Sequence, residues 1–211
     1  MLILGLTGSI GMGKTTAAGD FRRFGVPVHD ADAAVHQLMS FGGAAVPLIS
    51  GAFPGVEVEG RIDRTKLGAR VFNNLDQLRR LEEIIHPIVA AHKHQFIKIA
   101  SRRRAPFVVL DVPLLFETGG DAACDAVVTV SAPEFVQARR VLARPGMDRR
   151  RLDQILEKQM PDVEKRRRSD FIVPTGLGRL ESMRTIRKII NKISAWPARR
   201  WPPWVVRRSL R

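Results

Sequence analysis

The sequence predicts an α/β fold, a three-layer sandwich built around a five-stranded parallel sheet. Short apolar runs alternate with stretches of helical spacing along the 211 residues, and this alternation is typical of parallel sheets. A glycine-rich loop stands between the first apolar run and the first helical stretch. The length suits one compact domain with insertions, or one domain plus a mobile subdomain.

Each predicted strand is a short apolar run of the kind found in strands that are buried on both faces. The runs are Leu2–Leu6, Val26–His29, Phe107–Leu110, Ala126–Val130 and Phe171–Val173. Helical spacing covers 61–104, where we expect Pro87 to break or kink the helix. The other predicted helices are Lys14–Phe24, Ala31–Met39, 133–143 and Arg179–Ile193.

The composition excludes several classes of protein. Hydrophobic residues make up 45% and the mean hydropathy is −0.08, as in ordinary globular chains. No apolar run approaches the roughly 20 residues of a membrane span, and the start MLILGLTGS lacks the basic region of a signal peptide. The single cysteine, Cys124, excludes an internal disulfide and favours a reducing cytoplasm, with the thiol buried as a small apolar group.

The net charge of +14 and the pI near 11.3 predict anionic partners, such as phosphorylated metabolites or nucleic acid. Residues 196–211 contain five arginines, no acid and all three tryptophans. An anionic membrane or a nucleic acid could bind such a segment. We interpret it as a disordered, solvated tail, and expect its deletion to change turnover only a few-fold.

The most specific motif is Gly8-Ser9-Ile10-Gly11-Met12-Gly13-Lys14-Thr15, which fits the phosphate-loop pattern G-x-x-x-x-G-K-[ST]. Its glycines permit a concave nest of backbone N–H groups, and the helix that follows directs its positive end at phosphates. Lys14 would contact the β- and γ-phosphates, and the Thr15 hydroxyl would bind Mg²⁺. The motif therefore predicts binding of a nucleoside triphosphate and magnesium.

Three classes of phosphate-loop protein compete. A GTPase should carry D-x-x-G and N-K-x-D, and neither is present, because Asn191-Lys192 is followed by Ile193-Ser194. A nucleic-acid-dependent ATPase normally needs a longer chain. A small-molecule kinase, with a substrate subdomain and a basic lid on a small core, fits the sequence best.

Acidic residues stand where such a kinase needs them. Asp30-Ala31-Asp32 follows the second strand, at the sheet edge where ligands bind. Asp32 is a candidate to orient the acceptor hydroxyl and take its proton, whereas Asp30 could equally cap a helix. Asp111 ends an apolar strand, like the Asp that holds Mg²⁺ in phosphate-loop proteins.

The basic segment 139–168 is predicted to form the lid. Arg140 and Arg144 are four residues apart and would share one helical face, from which they could stabilise charge on the transferred phosphoryl group. We interpret the runs Arg149–Arg151 and Arg166–Arg168 as solvated charged faces.

Taken together, these motifs resemble the dephospho-coenzyme A kinase family over about residues 1–193. The matching segments are Leu6–Thr16, Asp30–Asp32, Ile62–Arg64 with Leu67, Leu81–Pro87, Pro113–Glu117, Gln137–Arg140 with Arg144, Gln159–Pro161, Lys165 and Ser169–Phe171. Met12 replaces the usual Ser of the family, and Pro174-Thr175 stands where an Asn is usual, which puts adenine-side contacts in doubt. The tail 196–211 has no counterpart in the family.

The resemblance implies a kinase domain over 1–195. Its core would be 1–34, 106–138 and 170–195, with a helical coenzyme A subdomain at about 35–105 and a lid at about 139–169. The implied reaction is phosphorylation of the ribose 3′-hydroxyl of dephospho-CoA by ATP with Mg²⁺. The implied catalytic residues are Lys14, Asp32 and Arg140.

The resemblance also implies the binding residues. For ATP they are Gly8, Gly11, Met12, Gly13, Lys14, Thr15, Thr16 and Arg144. For dephospho-CoA they are Asp32, Arg64, His86, Pro113, Leu114 and Glu117, and for the metal Thr15 and Asp111.

Two other functions stay open: a kinase for another small metabolite, and a nucleic-acid-binding phosphate-loop ATPase, which the charge of +14 suggests. The kinase interpretation expects no specific nucleic acid, no membrane span, and a cytoplasmic monomer or weak homo-oligomer.

Overall fold

The computed structural model describes residues 1–72 and 74–202. The chain forms two compact units, one made of residues 1–29 and the chain from residue 100 onward, the other of residues 30–99. None of the helices in the described part combines the length and the apolar character that a membrane crossing requires.

The first unit is built on a five-stranded parallel sheet. Its strands are β1 (Leu2–Thr7), β2 (Val28–Asp30), β5 (Phe107–Asp111), β6 (Ala126–Ser131) and β7 (Phe171–Pro174). Their order is β2-β5-β1-β6-β7. Every residue of β1, β5 and β6 is buried, because these apolar runs occupy the centre of the sheet. The predicted α/β fold and its strands are confirmed.

Helices complete the first unit. They are α1 (Lys14–Arg23), α6 (Glu134–Leu142), α7 (Arg149–Glu157), α8 (Asp162–Arg168) and α9 (Arg179–Ile193), with a short 3-10 helix at Gly120–Ala123. Apolar side chains of α1 and α9, among them Phe21 and Ile186, pack in one core with those of β1 and β6. This core fixes the carboxyl end of β1, where the glycine-rich loop begins.

The second unit is mostly helical. It contains α2 (Ala31–Leu38), α3 (Val46–Ala52), α4 (Arg64–Val71) and most of α5 (Leu75–Arg102). A two-stranded antiparallel hairpin, β3 (Glu57–Val58) with β4 (Arg61–Ile62), was not predicted. Its tight turn places Glu59 and Gly60 at positive φ, and strands of two residues are too short for an alternating pattern to reveal them.

Pro87 does not break the long helix, so the predicted break is wrong, while the kink given as its alternative stays a prediction. α5 runs through it from Leu75 to Arg102. Proline removes one backbone donor from a helix, but Ile84, Ile85, Ile88 and Val89 around it pack on the core of the second unit, which offsets that loss.

The tail is not wholly solvated, which corrects its interpretation as a disordered extension. Trp196 packs on the core of the first unit, with its ring 5.4 Å from that of Phe171. The backbone N–H groups of Arg199 and Arg200 donate to Asp125 Oδ1 over 2.6 and 3.0 Å. Residues 203–211 lie outside the described part of the chain.

Candidate active site

The phosphate loop connects β1 to α1, as predicted. Gly11 and Gly13 have φ of 75° and 90°, a left-handed conformation that glycine adopts without strain. Gly13 is the N-cap residue of α1, so the positive end of this helix faces the loop. The loop has the backbone of an anion nest.

Close packing explains the other glycine of the motif. A Cβ at Gly8 would lie 2.3 Å from Val130 Cγ2 and 2.8 Å from the Val130 carbonyl oxygen. A Cβ at Gly11 would lie 2.6 Å from Val141 Cγ2 of α6. The loop is therefore packed directly against β6 and α6.

Side chains of α6 and of the segment after α7 contact the loop backbone; of these, Arg140 and Gln159 lie in the predicted lid. Gln137 Nε2 of α6 donates to Ile10 O over 2.8 Å, and Arg140 Nη1 donates to Gly11 O over 3.3 Å. Gln159 Oε1 accepts the Ile10 N–H over 3.0 Å. These bonds fix the loop from its outer side.

Lys14 and Asp111 form an ion pair, with Nζ 2.6 Å from Oδ1. Asp111 is almost fully buried at the end of β5, and Lys14 is 16% exposed. Thr15 and Thr16, in the first turn of α1, are exposed. The structure thus brings one lysine, one carboxylate and exposed hydroxyls together at the carboxyl ends of β1 and β5.

The loop after β5 contains Pro113, half-buried, and Leu114, which is 39% exposed. The Pro113 carbonyl accepts hydrogen bonds from Thr7 Oγ1 over 2.9 Å and from Lys165 Nζ over 3.4 Å. Further along this loop, Glu117 Oε1 lies 2.8 Å from Lys165 Nζ. The loop is therefore tied to both β1 and α8.

The Glu117 carboxylate forms contacts within the protein that stabilise the fold. Its Oε1 also accepts the Met160 N–H over 2.9 Å. Burial alone would raise the pKa of Glu117, but the hydrogen bonds from Lys165 and Met160 outweigh burial, so the net pKa lies below its ordinary value. These contacts give Glu117 a structural role, and its contact with substrate stays a prediction.

In the second unit, Asp32 lies exposed in the first turn of α2. Asp30 caps this helix, because its Oδ1 accepts the Ala33 N–H over 2.9 Å. Asp32 and Arg64 line one cavity of about 590 Å³ together with His36, Gln37 and Ser40. Two residues predicted separately from distant motifs therefore meet in one cavity.

A helix cap also positions Arg64. Asp63 Oδ1 accepts the N–H groups of Thr65 and Lys66 over 2.9 and 3.1 Å, so α4 begins at Arg64. Asp63 therefore caps α4, and the next residue, Arg64, lines the cavity.

Arg144 does not share a helical face with Arg140, so that prediction is wrong. α6 ends at Leu142, because Pro145 disfavours helical backbone at the residue before it. Arg144 is exposed beyond the helix end. Arg149 pairs with Asp153 and Arg168 with Asp121 at 3.1 Å each, as expected for charged surface faces.

The structure also gives the positions of His86 and Cys124. His86 is exposed on α5 and is not among the residues that line the cavity with Asp32, so its binding role stays a prediction. Cys124 is buried, as predicted, with Sγ 3.7 Å from Gly120 O.

Sequence reasoning missed four contributors to the site: His36, Gln159, Lys165 and Thr175. Gln159 and Lys165 stood within matched segments, but their loop contacts follow only from the three-dimensional fold. A signal for Thr175 was available, since a polar residue directly after the last strand lies at the ligand-binding edge of a parallel sheet.

The chemistry of this arrangement is that of a polyphosphate site. Glycines at positive φ, a helix N-terminus, a lysine and exposed hydroxyls provide donors for phosphate oxygens. The cavity in the second unit offers a carboxylate and a guanidinium for a second ligand.

Known proteins resemble this chain closely. The family model described as dephospho-CoA kinase matches residues 2–177. A protein named dephospho-CoA kinase from Paramagnetospirillum magneticum is 61% identical over 166 residues, covering 79% of this chain and 78% of the relative. Another of that name, from Rhodopseudomonas palustris, is 51% identical over 201 residues, covering 95% of this chain and all of the relative.

Solved structures share the fold. TT1252 from Thermus thermophilus aligns with a TM-score of 0.77 and 34% identity, covering 90% of this chain and 96% of that one. A dephospho-CoA kinase from Campylobacter jejuni aligns with a TM-score of 0.65 and 22% identity, covering 92% and 98%. The phosphate-loop kinase fold is thereby confirmed.

Proposed function

This chain belongs to the dephospho-CoA kinase family, and we propose that it transfers the γ-phosphoryl group of ATP to the ribose 3′-hydroxyl of dephospho-CoA. It is an enzyme, a kinase of coenzyme A biosynthesis. The products are ADP and coenzyme A. The observation that carries the proposal is the phosphate loop with Lys14 at its end, in a chain whose second unit holds Asp32 and Arg64 in one cavity.

The phosphate loop binds ATP. Gly8, Gly11, Met12 and Gly13 line the phosphates. The N–H groups of Gly11 and Gly13 serve as donors, while the Met12 N–H donates to Ser9 O over 3.1 Å, and Lys14 contacts the β- and γ-phosphates. Lys14 leaves Asp111 for this contact, exchanging one anionic partner for another. Thr16 and Arg144 add donors from the loop helix and from the lid.

Asp32 acts on the acceptor. A sugar hydroxyl is a very weak acid, so the Asp32 carboxylate orients the 3′-hydroxyl and takes its proton late in the transfer. Arg140, whose guanidinium contacts Gly11 O and Thr175 in the structure, would stabilise charge on the transferred group from the lid once it leaves these partners. Arg64, beside Asp32 in the cavity, fits a phosphate of dephospho-CoA.

The remaining proposed contacts lie on the substrate side. They come from His86, Pro113, Leu114 and Glu117. Residues 35–105 act as the coenzyme A subdomain and 139–169 as the lid. The enzyme works in the cytoplasm as a monomer or weak homo-oligomer, and its charge of +14 suits two polyphosphate substrates.

Thr15 and Asp111 would hold Mg²⁺, because hydroxyl and carboxylate oxygens are ligands that this ion prefers. When bound, the ion neutralises charge on the phosphates. The exposed Thr15 hydroxyl and the Asp111 carboxylate at the strand end fit such a site.

The test follows coenzyme A and ADP by mass with ATP, Mg²⁺ and dephospho-CoA. Asp32→Asn should lower kcat about 100-fold, the scale of a general base, with ATP affinity unchanged. Asp30→Asn is the matched control, since it removes the same charge two residues away while asparagine still caps α2. A wild-type protein that binds ATP but forms no coenzyme A would refute the acceptor, and an active Asp32→Asn variant would refute the role of Asp32.

A further inference from the structure

Thr175 contacts the phosphate loop from the end of the last strand. It follows β7 directly and is only 8% exposed. Its hydroxyl donates to the carbonyl oxygen of Met12 over 2.6 Å, and its backbone N–H donates to Ser131 O over 2.8 Å. Thr175 therefore ties β6 to the loop.

The same residue also receives Arg140. Arg140 Nη1 donates to Thr175 Oγ1 over 3.1 Å, and Nη2 donates to Thr175 O over 2.7 Å. Because Nη1 also lies 3.3 Å from Gly11 O, the guanidinium bridges Thr175 and the loop. The Thr175 hydroxyl is thus both acceptor and donor in one chain of bonds from the lid helix to the loop.

Three consecutive loop carbonyls receive side-chain donors. Gln137 donates to Ile10 O, Arg140 to Gly11 O and Thr175 to Met12 O. In a trans peptide the C=O and the following N–H point in opposite directions. Donors on the outer side therefore direct the N–H groups of Gly11 and Gly13 inward, where an anion nest needs them.

We propose that Thr175 is a positioning residue of the phosphate loop, whose hydroxyl orients the Met12–Gly13 peptide for polyphosphate binding. Removing the hydroxyl leaves Met12 O with one side-chain donor fewer and Arg140 with one acceptor fewer. The inference rests on the proposed function only for its ligand, the triphosphate of a nucleotide.

The test compares binding of ATP and of inorganic tripolyphosphate by calorimetry, without dephospho-CoA. Thr175→Val, which keeps the side-chain shape, should weaken both ligands about tenfold, as expected for a lost buried hydrogen bond. Thr175→Ser should stay within about twofold of wild type. Thr129→Val is the matched control, since Thr129 is also buried but its hydroxyl bonds that of Ser169 at 2.6 Å, and it should bind both ligands like the wild type.

Unchanged binding of both ligands by Thr175→Val would overturn the proposal. So would weaker binding of ATP alone, because the hydroxyl would then act on the nucleoside and not on the phosphate nest. If Thr175→Val does not fold, binding of ATP and of tripolyphosphate is measured with Thr175→Ala, and the same outcomes are expected. Failure of the wild type to make coenzyme A would refute the proposed acceptor without changing these binding results.

Discussion

The ion pair between Lys165 and Glu117 gives the sharpest stability prediction. The Lys165 side chain is fully buried on α8, and Glu117 is 17% exposed. Lys165→Met removes the ammonium group. The Glu117 carboxylate then stays largely buried, and it keeps the hydrogen bond from the Met160 N–H but loses its ion pair. Breaking a buried pair in this way costs about 3 kcal/mol, which lowers Tm by about 6–12 °C in a domain of this size.

Thermal and urea unfolding measure the effect. Lys158→Met is the matched control, because Lys158 is exposed at the end of α7 and should change stability by less than about 0.5 kcal/mol. The double variant Lys165→Met/Glu117→Leu should lose less than the sum of its single variants, because no unpaired charge remains. Additive losses, or a loss as small as that of the control, would refute the reasoning.

The dependence on pH provides an independent check. The folded pKa of Glu117 lies below its ordinary value, so its contribution to stability is complete above the unfolded pKa and is lost as pH falls through the folded pKa. In Lys165→Met, the hydrogen bond and the charge of Lys165 no longer oppose burial, so the pKa of Glu117 is higher than in the wild type. The stability difference between wild type and variant should therefore shrink as pH falls from about 7 to about 4, and a difference independent of pH would contradict it.

Two further predictions concern the loop and the tail. Gly8→Ala should weaken ATP binding at least about tenfold. The new Cβ would lie 2.8 Å from the Val130 carbonyl oxygen, which is backbone and cannot rotate away. Gly19→Ala is the control and should bind ATP normally, because a Cβ there meets nothing within 4 Å. Asp125→Ala removes the acceptor of the Arg199 and Arg200 N–H groups, so trypsin should cut there faster while ATP binding stays unchanged. Equal cutting rates would show that these bonds do not fix the tail.

The sheet and the phosphate loop could be predicted because each has a strong local cause. Strands such as β1 are apolar up to their last residue and buried on both faces, so their signal does not depend on distant residues. The loop requires glycine at positive φ and at close approach to Val130, and both demands leave a visible motif.

The rest depends on contacts between distant segments. Pro87 is tolerated because neighbouring isoleucines pack on the second core, and Trp196 is ordered against Phe171. Thr175 meets Met12 across 163 positions of sequence. Local propensity contains none of this information, so the sequence alone could not exclude a helix break at Pro87, show that Trp196 is packed, or assign the contact of Thr175 with Met12.

Asp125 also joins the two ends of the described chain. One oxygen accepts the Ile3 N–H over 2.7 Å and the other the Arg199 N–H, so residues 3 and 199 lie close together at the amino-terminal edge of the sheet. A linker of a few residues from residue 200 to residue 1, in place of residues 201–211, could close the chain at small entropic cost. New termini could open at the exposed Pro145-Gly146 turn. Such a circular permutant would keep every strand pairing, with its junction about 20 Å, one strand length, from the phosphate loop.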